Sequence, residues 1–150
     1  MRKAILSLLM LLCTIGATAE NYNAQQEALR KEITSYLQRK GYKTEIQDDG
    51  LKFKNEGTTY YVEISDKDTN PMYLRLCMYV NFGTKLTREK ALKDLNDYNV
   101  KFGVKTICLK ENLLISAEMF VNKSSEFTYA FDELLSQVKS TYDLIEEQNK

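Results

Sequence analysis

The sequence predicts an α+β domain: an antiparallel six-stranded sheet with helices packed on it, in the order α-β-β-β-β-α-β-β-α. Three observations carry this. Residues 72–80 alternate apolar and other side chains over nine positions, the period of a half-buried strand. Asp48-Asp49-Gly50 lies between two short strand-like runs, and Asp-Gly is a strong hairpin signal. Phe127, Phe131, Leu134, Val138, Tyr142 and Ile145 recur at spacings of three and four, the stripe of a long amphipathic helix.

Taken in order, residues 22–40 read as a helix, with Leu29, Ile33, Tyr36 and Leu37 on one side and Gly41 as its stop. Residues 42–47 and 51–54 form the first hairpin. Residues 58–65 follow with Tyr60, Val62 and Ile64 on one face, and 66–71 is a polar turn before the strand at 72–80. Thr87 is placed to cap a second helix whose inner side carries Ala91, Leu92, Leu95 and Tyr98. Residues 105–110 and 113–121 make a second hairpin across Glu111-Asn112, with Leu113, Ile115, Ala117, Met119 and Val121 on one face. Ser124 or Ser125 is placed to cap the last helix, and the polar residues 146–150 are expected to fray. That helix does not read as a coiled coil, because its stripe is wide and follows a 3.6-residue period.

Antiparallel pairing is the commoner choice, so 113–121 is placed beside 72–80 with 105–110 outside it. This puts Cys77 and Cys108 about 9 to 10 Å apart, two strand spacings. A disulfide needs Cα atoms within about 7 Å, so two free thiols are expected.

Residues 1–19 read as a signal peptide, with Arg2 and Lys3, an apolar run at 5–12, and Ala17-Thr18-Ala19 before Glu20. The apolar run is shorter than the ~20 residues a membrane span wants. The competing readings are an uncleaved anchor and a buried first helix. A lipoprotein reading at Cys13 fails on Leu12, where lipidation wants a small residue. Residues 20–150 then form a single domain in the periplasm or outside the cell, with no stable membrane anchor after cleavage. With one proline and no Ser/Gly-rich stretch, nothing divides them.

Composition removes several functions. The chain has no histidine, so Ser-His-Asp and Cys-His nucleophile arrangements and histidine metal sites are excluded. Formal net charge is zero, which disfavours general nucleic-acid binding. The glycines are scattered, with no phosphate loop. Asp66-Lys67-Asp68-Thr69-Asn70 imitates the start of a calcium loop, but Pro71 and Cys77 stand where glycine and glutamate are needed. Cys77 as a nucleophile would need Arg75 or a lysine to hold its thiolate. No carboxylate pair is singled out by spacing. Asn122-Lys123-Ser124 fits an N-glycosylation acceptor, which matters in a eukaryotic host. No cofactor and no metal are expected.

The element order, Leu95-Asn96-Asp97-Tyr98-Asn99 near the end of the middle helix, and the strand at 113–119 together resemble YbjN-like domains. That family shares the fold of type III secretion chaperones. The resemblance covers about residues 22–147. It implies a secretion-chaperone-like fold and a non-enzymatic bacterial protein, often dimeric. Export departs from the type III chaperones, which act in the cytoplasm, and so argues against their effector-binding role.

If Leu74 and Leu76 face the helices, the other side of the sheet carries Tyr61, Tyr73, Arg75, Tyr79, Leu114 and Phe120, with Glu63, Cys77, Ser116 and Glu118 among them. Tyr and Arg are typical interface anchors, so these six form the candidate partner-binding patch. The plainer alternative is that tyrosines simply suit strands. Asn96 and Asn99 have two readings, a polar recognition pair or amides that bond backbone near a helix end, and the second is favoured. The expectation is therefore an exported, non-catalytic binding or chaperone-like protein that contacts a protein partner or a second copy of itself. A small-ligand carrier using the same aromatic face, or a carboxylate-dependent enzyme, is the alternative.

Overall fold

The computed structural model describes residues 22–67, 69–99 and 103–150. The expected signal peptide, Asp68 of the polar turn and residues 100–102 lie outside the described residues. The elements are α1 (Ala24–Arg39), β1 (Thr44–Gln47), β2 (Gly50–Asn55), β3 (Thr58–Ile64), β4 (Met72–Asn81), α2 (Arg88–Tyr98), β5 (Val104–Cys108), β6 (Asn112–Val121) and α3 (Ser124–Gln148). The fold is α+β, with one six-stranded sheet ordered β1-β2-β3-β4-β6-β5. Every pairing is antiparallel.

The hairpins form where turn chemistry demands them. Gly50 has φ +148°, and a Cβ there would meet the Val62 carbonyl oxygen at 2.0 Å, so only glycine lets β2 approach β3 at this point. Glu56 and Gly57, at φ 51° and 85°, make the tight turn from β2 to β3. The β4–β6 pairing is the longest, running from Met72↔Val121 to Asn81↔Asn112. Cys77 lies opposite Ser116 on β6 and Cys108 opposite Leu113, and both thiols are free.

One face of the sheet is covered by helices. Tyr60, Val62, Leu74, Leu76, Ile115 and Ala117 supply the sheet side of the core, and Ile33, Leu37, Phe127, Phe131 and Val138 the helix side. Phe131 is fully buried at the centre of an aromatic cluster, with ring centroids 5.6 to 5.8 Å from Tyr36, Tyr42, Phe53 and Phe127. α1 is seated by a capping box between Asn23 and Gln26. Buried Gln26 also donates to the carbonyls of Ser65 (2.7 Å) and Lys67 (3.0 Å), which ties the helix start to the turn after β3.

Several local expectations are corrected. Leu92 is 46% exposed, so α2 docks through Ala91 and Tyr98 with Leu95 half-buried. The buried stripe of α3 is Phe127, Phe131, Leu135, Val138, Thr141 and Ile145, with Leu134 and Tyr142 only half-buried. Thr141 is tolerated inside because its hydroxyl donates to the Gln137 carbonyl at 3.0 Å. Neither Ser124 nor Ser125 caps α3: Lys123 holds that position with no side-chain cap, while the Ser124 hydroxyl donates to Glu32 of α1. The chain end is not frayed. α3 continues to Gln148, and Asn149 is buried, donating to the Ile145 carbonyl (2.6 Å) and the Tyr98 hydroxyl (3.3 Å).

Candidate functional site

The strand register brings the expected face together in rows. Glu63, Arg75 and Glu118 lie side by side on β3, β4 and β6. The next row holds Tyr61, Cys77, Ser116 and Lys105, and the next Tyr79, Leu114 and Ile107. Tyr73 and Phe120 are opposite one another near the end of the long β4–β6 ladder. Alternation along a pleated strand places all of them on the side away from Leu74 and Leu76.

Two aromatic pairs result. Tyr61 and Tyr79 meet edge to face at 5.4 Å, and Tyr73 meets Phe120 at 5.4 Å, also edge to face. Such contacts hold ring orientation as well as burying area. Phe120 is 63% exposed, while Tyr61, Tyr73 and Tyr79 are half-buried.

Leu114 is the exception among the six candidate residues. It is 2% exposed, because it lies in register between Tyr79 on β4 and Ile107 on β5, and so it offers no surface to a partner. Cys77 and Ser116, in the middle of the sheet, are fully buried as well.

Arg75 is present but not free. Its Nε donates to a Glu63 carboxylate oxygen at 2.5 Å, and its terminal nitrogen forms an ion pair with the same group. The Tyr79 hydroxyl donates to the other Glu63 oxygen at 2.6 Å, and the Cys77 thiol lies 3.4 Å from it. Glu63 is thus the hub of the face, with three partners on β4. Sequence reading placed Glu63 on this side but found nothing to distinguish it from any strand carboxylate. The signal is the cross-strand register Glu63↔Arg75, which an unaligned sequence does not display. A second, looser group forms round Glu118, which accepts from Ser116 (3.2 Å) and pairs with Lys105 at 3.8 Å.

The protonation pattern follows from this packing. Burial works against the Arg75 charge, but the Glu63 carboxylate more than offsets it and raises its pKa. Burial, reinforced by Glu63, pushes the Tyr79 hydroxyl and the Cys77 thiol up. Cys77 is therefore a neutral buried thiol, the opposite of an activated nucleophile. Burial, with Glu118 alongside, pushes Tyr73 up to about 12. A hydrogen bond to Glu146, together with burial, does the same for Tyr142 on α3, also about 12.

These shifts give an expected pH dependence. Unfolded tyrosine titrates near pH ~10. Below that value both states hold the phenolic protons and the stabilisation is complete. As pH rises through the folded value of about 12, it is lost. Denaturation midpoints should fall steadily above pH ~10, with a shallower fall for Tyr73→Phe. An ultraviolet phenolate titration should show Tyr73, Tyr79 and Tyr142 ionising late, together with unfolding.

Asn99 belongs to the fold. Its carboxamide accepts from the Thr106 backbone N–H at 2.6 Å and donates to the Thr106 and Leu95 carbonyls. It thereby fastens the end of α2 to β5. No group of three or more Cys, Asp or Glu side chains suited to a metal occurs among the described residues. No described helix is long and apolar enough to cross a membrane. Among the described residues, a cavity of about 460 Å³ between α1 and the start of α3 and another of about 280 Å³ at the end of α3 lie away from the face.

No family model matches the chain, and no curated protein matches it. Among solved structures it is similar to the crystal structure of an uncharacterized protein from Methanothermobacter thermautotrophicus. The TM-score is 0.55 at 11% identity, covering 81% of this chain and 99% of that one. At this identity the likeness is one of fold alone.

Proposed function

We propose that the chain is an exported, non-catalytic binding module of the YbjN-like kind, acting through protein contacts on the face of its sheet that none of the described helices covers. The observation that carries the reading is Phe120, a large apolar side chain 63% exposed and held in place by Tyr73 on an antiparallel ladder. Rigid aromatics on regular strands bind a partner at low entropic cost. Around them Glu63 is neutralised by Arg75, and Glu118 is paired with Lys105, so the face carries little net field. Such a surface favours contact through apolar area over charge attraction. The enzyme alternative gains nothing here, since Glu63 is saturated by its partners and Cys77 is a neutral thiol. Export rests on the sequence of residues 1–19.

The test compares the native chain with Phe120→Lys, a change at an exposed site that should cost no more than ~1 kcal/mol through the lost cross-strand pair with Tyr73. Light scattering coupled to size exclusion reports self-association, and affinity capture from the exported fraction reports a foreign partner. A native dimer, or a partner retained in stoichiometric amount, that Phe120→Lys loses while Tyr129→Lys, at a 93% exposed position of α3, keeps it, supports the proposal. A native monomer that retains nothing sensitive to Phe120→Lys overturns it.

A further inference from the structure

The cavity at the end of α3 plays no part in the proposed function. It holds about 280 Å³ between the last turns of α3, the end of β4 and the segment before α2. Val80, Leu86, Tyr142 and Ile145 supply its apolar walls. Lys85 and Lys150, both exposed, stand at it as well. Glu146 also lines it with its carboxylate turned to the Tyr142 hydroxyl, and its one negative charge stands against the two lysines.

The remaining wall residue is Asn149, which is only 8% exposed. Its Nδ2 is used twice, towards Ile145 and Tyr98. Its Oδ1 is buried and accepts no hydrogen bond. A buried acceptor left unmade costs about 1–3 kcal/mol, which a donor from a bound molecule would recover.

We propose that this cavity binds a small amphipathic anion. Its apolar body packs against Leu86 and Ile145, its carboxylate faces Lys85 and Lys150, and a hydroxyl or amino group turned inward donates to Asn149 Oδ1. The volume is near the lower end of ligand cavities, ~300 to 1,000 Å³, which restricts the body to one ring or a short aliphatic chain. Apolar walls with a few placed polar groups are the usual build of such sites. The site shares no residue with the Tyr73–Phe120 face, so either proposal can fail alone.

The test is a titration of the isotope-labelled protein followed by amide NMR shifts, with three probes: 4-hydroxybenzoate, benzoate and benzyl alcohol. 4-Hydroxybenzoate is expected to bind best, with shifts confined to Val80, Leu86, Ile145 and the Asn149 side-chain amide. Lys85→Glu, at an exposed position that leaves the fold intact, should weaken both acids about tenfold and leave benzyl alcohol unchanged. Asn149→Ala should weaken 4-hydroxybenzoate about tenfold and benzoate little. No localised shift with any probe at millimolar concentration overturns the site. Equal binding of benzyl alcohol and benzoate overturns its preference for an anion. Indifference of 4-hydroxybenzoate to Asn149→Ala assigns the buried oxygen to water and overturns the donor requirement.

Discussion

Phe131→Ala is expected to lower unfolding free energy by about 3–5 kcal/mol, read from urea or guanidinium midpoints at unchanged slope. The ring is fully buried and lies within 5.8 Å, centroid to centroid, of four other aromatic rings. Two of them, Tyr36 and Phe127, come from α1 and α3, and Phe53 comes from β2. Truncation therefore removes transfer free energy and opens a cavity where helices and sheet meet, and rings of this size cannot collapse into it fully. Phe131→Leu should cost markedly less, because it keeps most of the volume. A loss below about 1 kcal/mol for Phe131→Ala would mean that this cluster is not the centre of the core.

Glu63→Ala is expected to be the largest effect at a polar position, about 2–3 kcal/mol. Breaking a fully buried pair costs ~3–5 kcal/mol, and partial exposure of this one reduces the figure. The Glu63 and Arg75 side chains are 13% and 27% exposed, so each is shielded but not dry. Removing the carboxylate strands the Arg75 charge and takes the acceptor from the Tyr79 hydroxyl at once. Glu63→Gln keeps an acceptor for Tyr79 and should fall between. Glu63→Gln combined with Arg75→Met should recover much of the loss, because a buried pair replaced by matched neutral groups is often close to neutral. A double variant as unstable as the sum of the singles would show that Glu63 and Arg75 act independently. The hub also orients Tyr79, and through it Tyr61, so the proposed partner binding at the face should weaken in Glu63→Ala even under conditions where the fold persists.

What the sequence determined by itself is the order of elements, and the reason is local. Strand alternation at 72–80, a hairpin at 48–50 and the Thr87 cap each need only neighbouring residues, and each is present, although the loop itself is Asp48-Asp49 and Gly50 opens β2 opposite Gln47. The antiparallel placement of β6 between β4 and β5 was also legible, from the preference for antiparallel pairing and the short hairpin, and it keeps Cys77 and Cys108 apart. Alternation likewise put Tyr61, Tyr73, Arg75, Tyr79 and Phe120 on one face.

Tertiary structure alone decided which side chains of that face are buried, paired or exposed. Leu114 shares its period with Phe120, yet one is closed over by neighbouring strands and the other stands in solvent, because Leu114 has strands on both sides in register. Glu63 became a hub because three β4 side chains converge on it, a fact of register that no spacing along one strand contains. Asn149 looked like a fraying tail and is instead buried, because Tyr98 arrives from α2 to meet it. Periodicity tells which side of an element a residue occupies. Burial, pairing and exposure on that side depend on what the rest of the chain brings to it.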